Sequence, residues 1–97
     1  MEFEEIERKA IECVETRLSR KNIKNNIDLT LTHLIEEFGE LALQINNGKL
    51  KRKEVDVKNI GEEISDCIIL LLMLSKQYNI DIEKSLLNKI EIIKNKR

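Results

Sequence analysis

Ninety-seven residues carry no proline, three glycines and 3% aromatics, with 36% charged side chains that cancel to a formal net charge of −1. A chain of that length makes one domain, residues 1–97, and its balanced charge leaves no broad basic field for a phosphate backbone, which argues against nucleic-acid binding. The longest apolar run, Ile68 to Leu74, is seven residues against the ~20 that span a bilayer, and Met1-Glu2-Phe3-Glu4-Glu5 lacks the basic start and apolar core of a signal peptide; a soluble cytoplasmic protein with no membrane partner is expected.

Leu, Ile, Lys and Glu dominate, the composition of helices without much sheet, so the chain is expected to be all-α. Residues 2 to 21 place Phe3, Ile6, Ala10, Ile11, Val14 and Leu18 at three- and four-residue spacing, which predicts an amphipathic helix. Asn22, Asn25 and Asn26 interrupt it with a turn, and Asp28 or Thr30 is expected to cap a second helix from Leu29 to Asn46. Its stripe is Leu31, Leu34, Ile35, Phe38, Leu41, Ala42 and Ile45, with the phenylalanines expected in the core. Asn46-Asn47-Gly48 supplies a left-handed stop. Gly39, mid-helix, costs about 1 kcal/mol relative to alanine, so a close approach by backbone or ligand is expected there.

Lys49, Lys51, Arg52 and Lys53 lie in a basic connection read as a solvated loop. Asp56 then caps a third helix to Gln77 or Tyr78, and Asp81 a fourth that continues to the end. Four such helices predict a four-helix bundle-like subunit. The third is apolar on nearly all sides from Ile68 to Leu74, and 97 residues offer little surface to cover it, so a homo-oligomer is expected. Cys13 and Cys67 have no metal-ligand spacing and are read as reduced, buried thiols without a role.

Two acidic motifs stand out, Glu36-Glu37-Phe38-Gly39-Glu40 and Glu63-Ile64-Ser65-Asp66, with 22 residues between Glu40 and Glu63. Residues three or four apart share a helix face, pairing Glu37 with Glu40 and Glu63 with Asp66. Charge runs on helices are ordinarily solvated, but Glu63 and Asp66 fall on the stripe of Leu70, Met73 and Leu74, which should point inward. Two like charges about 4 Å apart repel by roughly 4 kcal/mol at an effective dielectric near 20, and a divalent cation is the natural compensation. All-oxygen ligation favours Mg²⁺ or Mn²⁺ over zinc, and Mg²⁺ often takes phosphate oxygens as further ligands, which points to nucleotide chemistry.

The ordered pair of motifs resembles the signature of the all-α nucleoside triphosphate pyrophosphohydrolases, the MazG-like group with its dimeric dUTPase and phosphoribosyl-ATP pyrophosphatase relatives. Ile35 to Ala42, Gly61 to Ile68 and Tyr78 to Glu83 carry the resemblance, which covers about residues 28–97. It implies hydrolysis of a nucleoside triphosphate between the α and β phosphates in a homodimer or homotetramer. By position it makes Glu37, Glu40, Glu63 and Asp66 the Mg²⁺ ligands, and Glu36 a metal ligand or the group that orients the attacking water. Lys89, Lys94, Asn95, Lys96 and Arg97 resemble the family's phosphate-binding cluster, although the end of the chain does not align cleanly with it. His33, one turn before Glu37, is placed to touch a nucleotide or tune a carboxylate, while a solvent-facing or capping histidine is the ordinary use. The competing readings are a non-catalytic helical dimerisation or regulatory module, and an enzyme acting on a nucleotide-linked metabolite such as phosphoribosyl-ATP.

Overall fold

The computed structural model describes residues 2–50 and 54–96, so Lys51, Arg52, Lys53 and Arg97 lie outside the described residues. The described residues are all-α, with four helices in the order expected: α1 (Phe3–Arg20), α2 (Ile27–Lys49), α3 (Val57–Gln77) and α4 (Ile82–Lys94). None is long and apolar enough to cross a membrane.

Short polar side chains set most of the boundaries. Asp56 and Asp81 cap α3 and α4 as expected, accepting from the backbone N–H of Asn59 and Lys84, each at 3.1 Å. The cap of α2 is Asn26, not Asp28 or Thr30: its Oδ1 accepts from Leu29 N at 2.8 Å, and α2 begins at Ile27. Asp28 instead sits in the first turn, where its charge complements the helix dipole, and the Thr30 hydroxyl donates to Asn26 O. Left-handed asparagines, Asn22 (φ 56°) and Asn79 (φ 54°), end α1 and α3. In each case the next two amides fold back onto the last turn, Asn22 N to Ser19 O and Ile23 N to Leu18 O, then Asn79 N to Lys76 O and Ile80 N to Ser75 O.

The stop expected at Asn46-Asn47-Gly48 does not form. α2 runs on to Lys49, and no glycine among the described residues has a positive φ. Gly48 serves packing: a Cβ there would overlap the Val55 side chain where the chain returns toward α3. Gly39 differs again from expectation, since a Cβ would meet open space.

α3 is the centre of the subunit. Cys67, Leu70, Leu72, Met73 and Ser75 are buried on it, against Ala10 and Leu18 of α1 and Thr30 of α2. Of the two thiols only Cys67 is buried; Cys13, on α1, is exposed. α4 buries no residue at all. The radius of gyration is accordingly 15.8 Å, where about 12.5 Å suits a compact chain of this length.

Much of the α2 stripe also stays open. Phe38, expected in the core, is 64% exposed, and with Leu34, Leu41, Ile64, Ile68 and Leu71 it lines an apolar groove of about 460 Å³ between α2 and α3. The inward stripe of α2 is therefore split. One edge packs on α3, and the other extends past the edge of the subunit.

Candidate metal centre

α2 and α3 pack side by side along their lengths, and this brings Glu37 opposite Glu63 and Asp66. One carboxylate oxygen from each of the three lies within 4.8 Å of the others. Glu37 and Glu63 are half-buried and Asp66 is exposed, so Glu63 enters the interior as its stripe suggests while Asp66 stays at the rim. Glu40, one turn beyond Glu37, is exposed and outside this group, although its charge still acts on Glu37.

Crowding shows in the protonation of the group. Burial pushes the Glu37 carboxyl up from its ordinary 4.5 to about 7, helped by a proton shared with Glu63 and by the charges of Asp66, Glu40 and Glu63. Burial and the same cluster of carboxylates raise the Cys67 thiol, which keeps it protonated and inert. With Glu37 ionised, Oε2 of Glu63 is buried with no hydrogen-bond partner. An ionised oxygen in that position is costly unless a proton or a cation meets it. Three converging carboxylates with one orphaned oxygen fit a hard divalent cation, Mg²⁺ or Mn²⁺, which takes oxygen ligands and retains several waters.

Beside the cluster, a cleft of about 300 Å³ opens between α1, α2 and α3. Glu36, Glu37 and His33 face it from α2, and Asp66 from α3; Leu18 and Leu70 contribute its apolar part. Of the residues singled out from the sequence, the structure thus gathers Glu37, Glu63 and Asp66 in one group and brings Glu36 and His33 to the adjoining cleft. It does not bring Lys89 or Asn95 there: both are exposed on or at the end of α4, and the Asn95 side chain donates back to Glu91 O at 2.9 Å.

The α1 wall of the cleft lies outside both acidic motifs. Arg17 and Lys21 line the cleft together with Val14 and Leu18. Their three- and four-residue spacing beside the apolar stripe is the signal the sequence holds, since a long basic side chain there lays its stem along apolar surface while its charged head stays in water.

No curated protein and no solved structure matches the chain. The family model described as the MazG nucleotide pyrophosphohydrolase domain matches residues 25–96, from the turn before α2 to the end of α4, and takes in the whole acidic cluster. The chain belongs to the MazG nucleotide pyrophosphohydrolase family.

Proposed function

We propose that this protein is a Mg²⁺-dependent nucleoside triphosphate pyrophosphohydrolase, with Mn²⁺ as a possible substitute, that cleaves between the α and β phosphates to give a nucleoside monophosphate and pyrophosphate. The observation that carries this reading is the buried, unpartnered Oε2 of Glu63 within a three-carboxylate group beside a cleft. Glu37, Glu63 and Asp66 would hold the cation, with Glu40 reaching it from the next turn of α2. A bound cation of this kind withdraws charge from phosphate oxygens. Glu36 lines the cleft without joining the cluster, and we assign it the water that attacks phosphorus. His33 faces the same space and is placed to contact the nucleotide. Lys89 and Asn95 take part only where α4 of this or another copy folds over the cleft. The proposed location is the cytoplasm, where free nucleotides are pooled.

The working unit is proposed to be a homodimer or homotetramer. Support comes from the apolar groove between α2 and α3 and from the lone α4, on which Leu86, Leu87, Ile90, Ile92 and Ile93 are all exposed. Contiguous apolar surface of this kind on a small subunit is the mark of an interface.

The test is pyrophosphate release from a panel of ribo- and deoxynucleoside triphosphates with and without Mg²⁺. Glu63→Gln is expected to lower kcat by about a thousandfold or more, in line with the loss of a group that stabilises transition-state charge. The same variant should lose the Mg²⁺-dependent rise in Tm while its circular dichroism stays helical. Absence of release from every nucleotide in the presence of Mg²⁺ would sink the proposal and leave the non-catalytic reading.

A further inference from the structure

Resting on the hydrolase reading for the identity of its ligand, we propose that α1, which lies outside the matched family domain, completes the site, with Arg17 and Lys21 binding the phosphate chain of the substrate across the cleft from the acidic cluster.

Both side chains line the cleft whose other walls carry Glu36, Glu37 and Asp66. Neither takes part in an ion pair among the described residues, although the same helix forms such pairs elsewhere, Arg8 with Glu12 at 3.0 Å and Glu15 with Lys76. Arg17 and Lys21, both exposed and without an ion pair among the described residues, thus border the same space of about 300 Å³ as three carboxylates. A ligand that satisfies both walls must offer negative charge to α1 and tolerate the carboxylates of α2 and α3. A phosphate chain carrying a divalent cation has that polarity: its cation faces the acidic wall and its free oxygens face the basic one.

Volume narrows the assignment. The cleft lies at the low end of the ~300–1,000 Å³ usual for ligand pockets, so it suits the phosphate chain better than a whole nucleotide. Recognition then rests on the triphosphate, with the nucleoside directed toward the open side. The ordinary role of basic residues in a last helical turn, complementing the macrodipole, applies equally to Arg20, which does not line this cleft. Arg20 is thus an internal control with the same charge on the same turn.

The probe is inorganic tripolyphosphate, titrated calorimetrically into the full chain in Mg²⁺. Charge-assisted hydrogen bonds of this kind are worth about tenfold or more in affinity each, so the double variant Arg17→Met, Lys21→Met should bind about a hundredfold more weakly. Arg20→Met should stay within about twofold of the parent, apart from the general effect of one surface charge. Helicity by circular dichroism and the Mg²⁺-induced Tm shift should be unchanged in the double variant, which separates phosphate binding from folding and from the cation site. In turnover, KM for a hydrolysed nucleotide should rise far more than kcat falls.

Equal tripolyphosphate affinity in the double variant and Arg20→Met, or no binding by the parent chain, overturns the assignment. A parent chain that hydrolyses nucleotides while the double variant keeps its KM refutes the role of α1 and spares the hydrolase reading. A parent chain that binds tripolyphosphate through Arg17 and Lys21 but hydrolyses nothing supports the α1 assignment and refutes the hydrolase.

Discussion

The α2–α3 pair presents two contrasting sides. Toward α1, carboxylates crowd together, one oxygen is buried without a partner, and the Glu37 carboxyl is raised to about 7. On another side of the same two helices, Ile35, Phe38, Ile64, Ile68 and Leu71 are 43% to 65% exposed. Stability of a lone subunit would favour the reverse, with acids in water and apolar groups covered. The first side suits a charged ligand and the second another apolar surface, so the proposed chemistry and the proposed assembly fall on different sides of one helix pair.

The largest expected effects separate the buried core of the subunit from its open apolar side. Met73, toward the C-terminal end of α3, is 2% exposed, and Met73→Ala should cost about 2–5 kcal/mol of subunit stability, read by denaturant unfolding. Phe38→Glu, in contrast, puts a charge where a partner's apolar side chains are expected. It should convert the assembly to monomers in sedimentation while α1–α3 stay helical, since truncating a central interface aromatic typically costs about 2 kcal/mol or more of association. An unchanged mass for Phe38→Glu would remove the groove from the interface.

The architecture was legible where local chemistry decides it. Asp56 and Asp81 announce helix starts because a short carboxylate can reach the third amide beyond it, and both caps are present. The α2 boundaries were less legible because Asn26 competes with Asp28 and Thr30 for the same cap, and Asn-Asn-Gly has the composition of a stop although α2 continues through it to Lys49. The acidic residues were readable from their spacing, yet spacing gives only a shared face. Which carboxylates converge depends on how α2 and α3 pack, and that packing brings Glu37 to Glu63 and Asp66 while Glu40 remains at the margin. Phe38 was misplaced for a related reason: an apolar stripe states that a face seeks cover, without saying whether the cover comes from the same chain.

A smaller effect sharpens the acidic side. The folded chain holds a proton on Glu37 up to about pH 7, whereas the unfolded chain releases it near 4.5. Between those values the native state binds more protons, so the contribution of this group to stability falls as pH rises and levels off above the folded value. In EDTA, the Tm difference between the parent chain and Glu37→Gln should therefore grow in favour of the variant from pH 5 to pH 8. Mg²⁺ competes with the proton for the same oxygens, so its stabilisation of the parent should be larger at pH 8 than at pH 5 and absent in Glu37→Gln. A pH-independent Tm difference would place Glu37 outside the charge cluster in solution.

The smallest effect tests how far α4 stands apart. Asp56 and Asp81 make the same capping hydrogen bond at the same 3.1 Å, one on the most buried helix and the other on a helix that buries nothing. Replacing such a cap by alanine costs about 1 kcal/mol of helix stability. In the monomeric Phe38→Glu background, Asp56→Ala should pass that cost to the whole subunit, because α3 cannot fray without opening the core, and the main unfolding midpoint should drop. Asp81→Ala should leave that midpoint in place and instead speed amide exchange within Ile82–Lys94, since local opening of a helix with no buried side chains leaves the rest folded. In the proposed parent assembly the two caps should converge, both lowering the midpoint, because a partner covering Leu86, Ile90 and Ile93 would couple α4 to the core. If Asp81→Ala already lowers the monomer midpoint as much as Asp56→Ala, α4 is docked within its own subunit, and the groove must find its cover elsewhere.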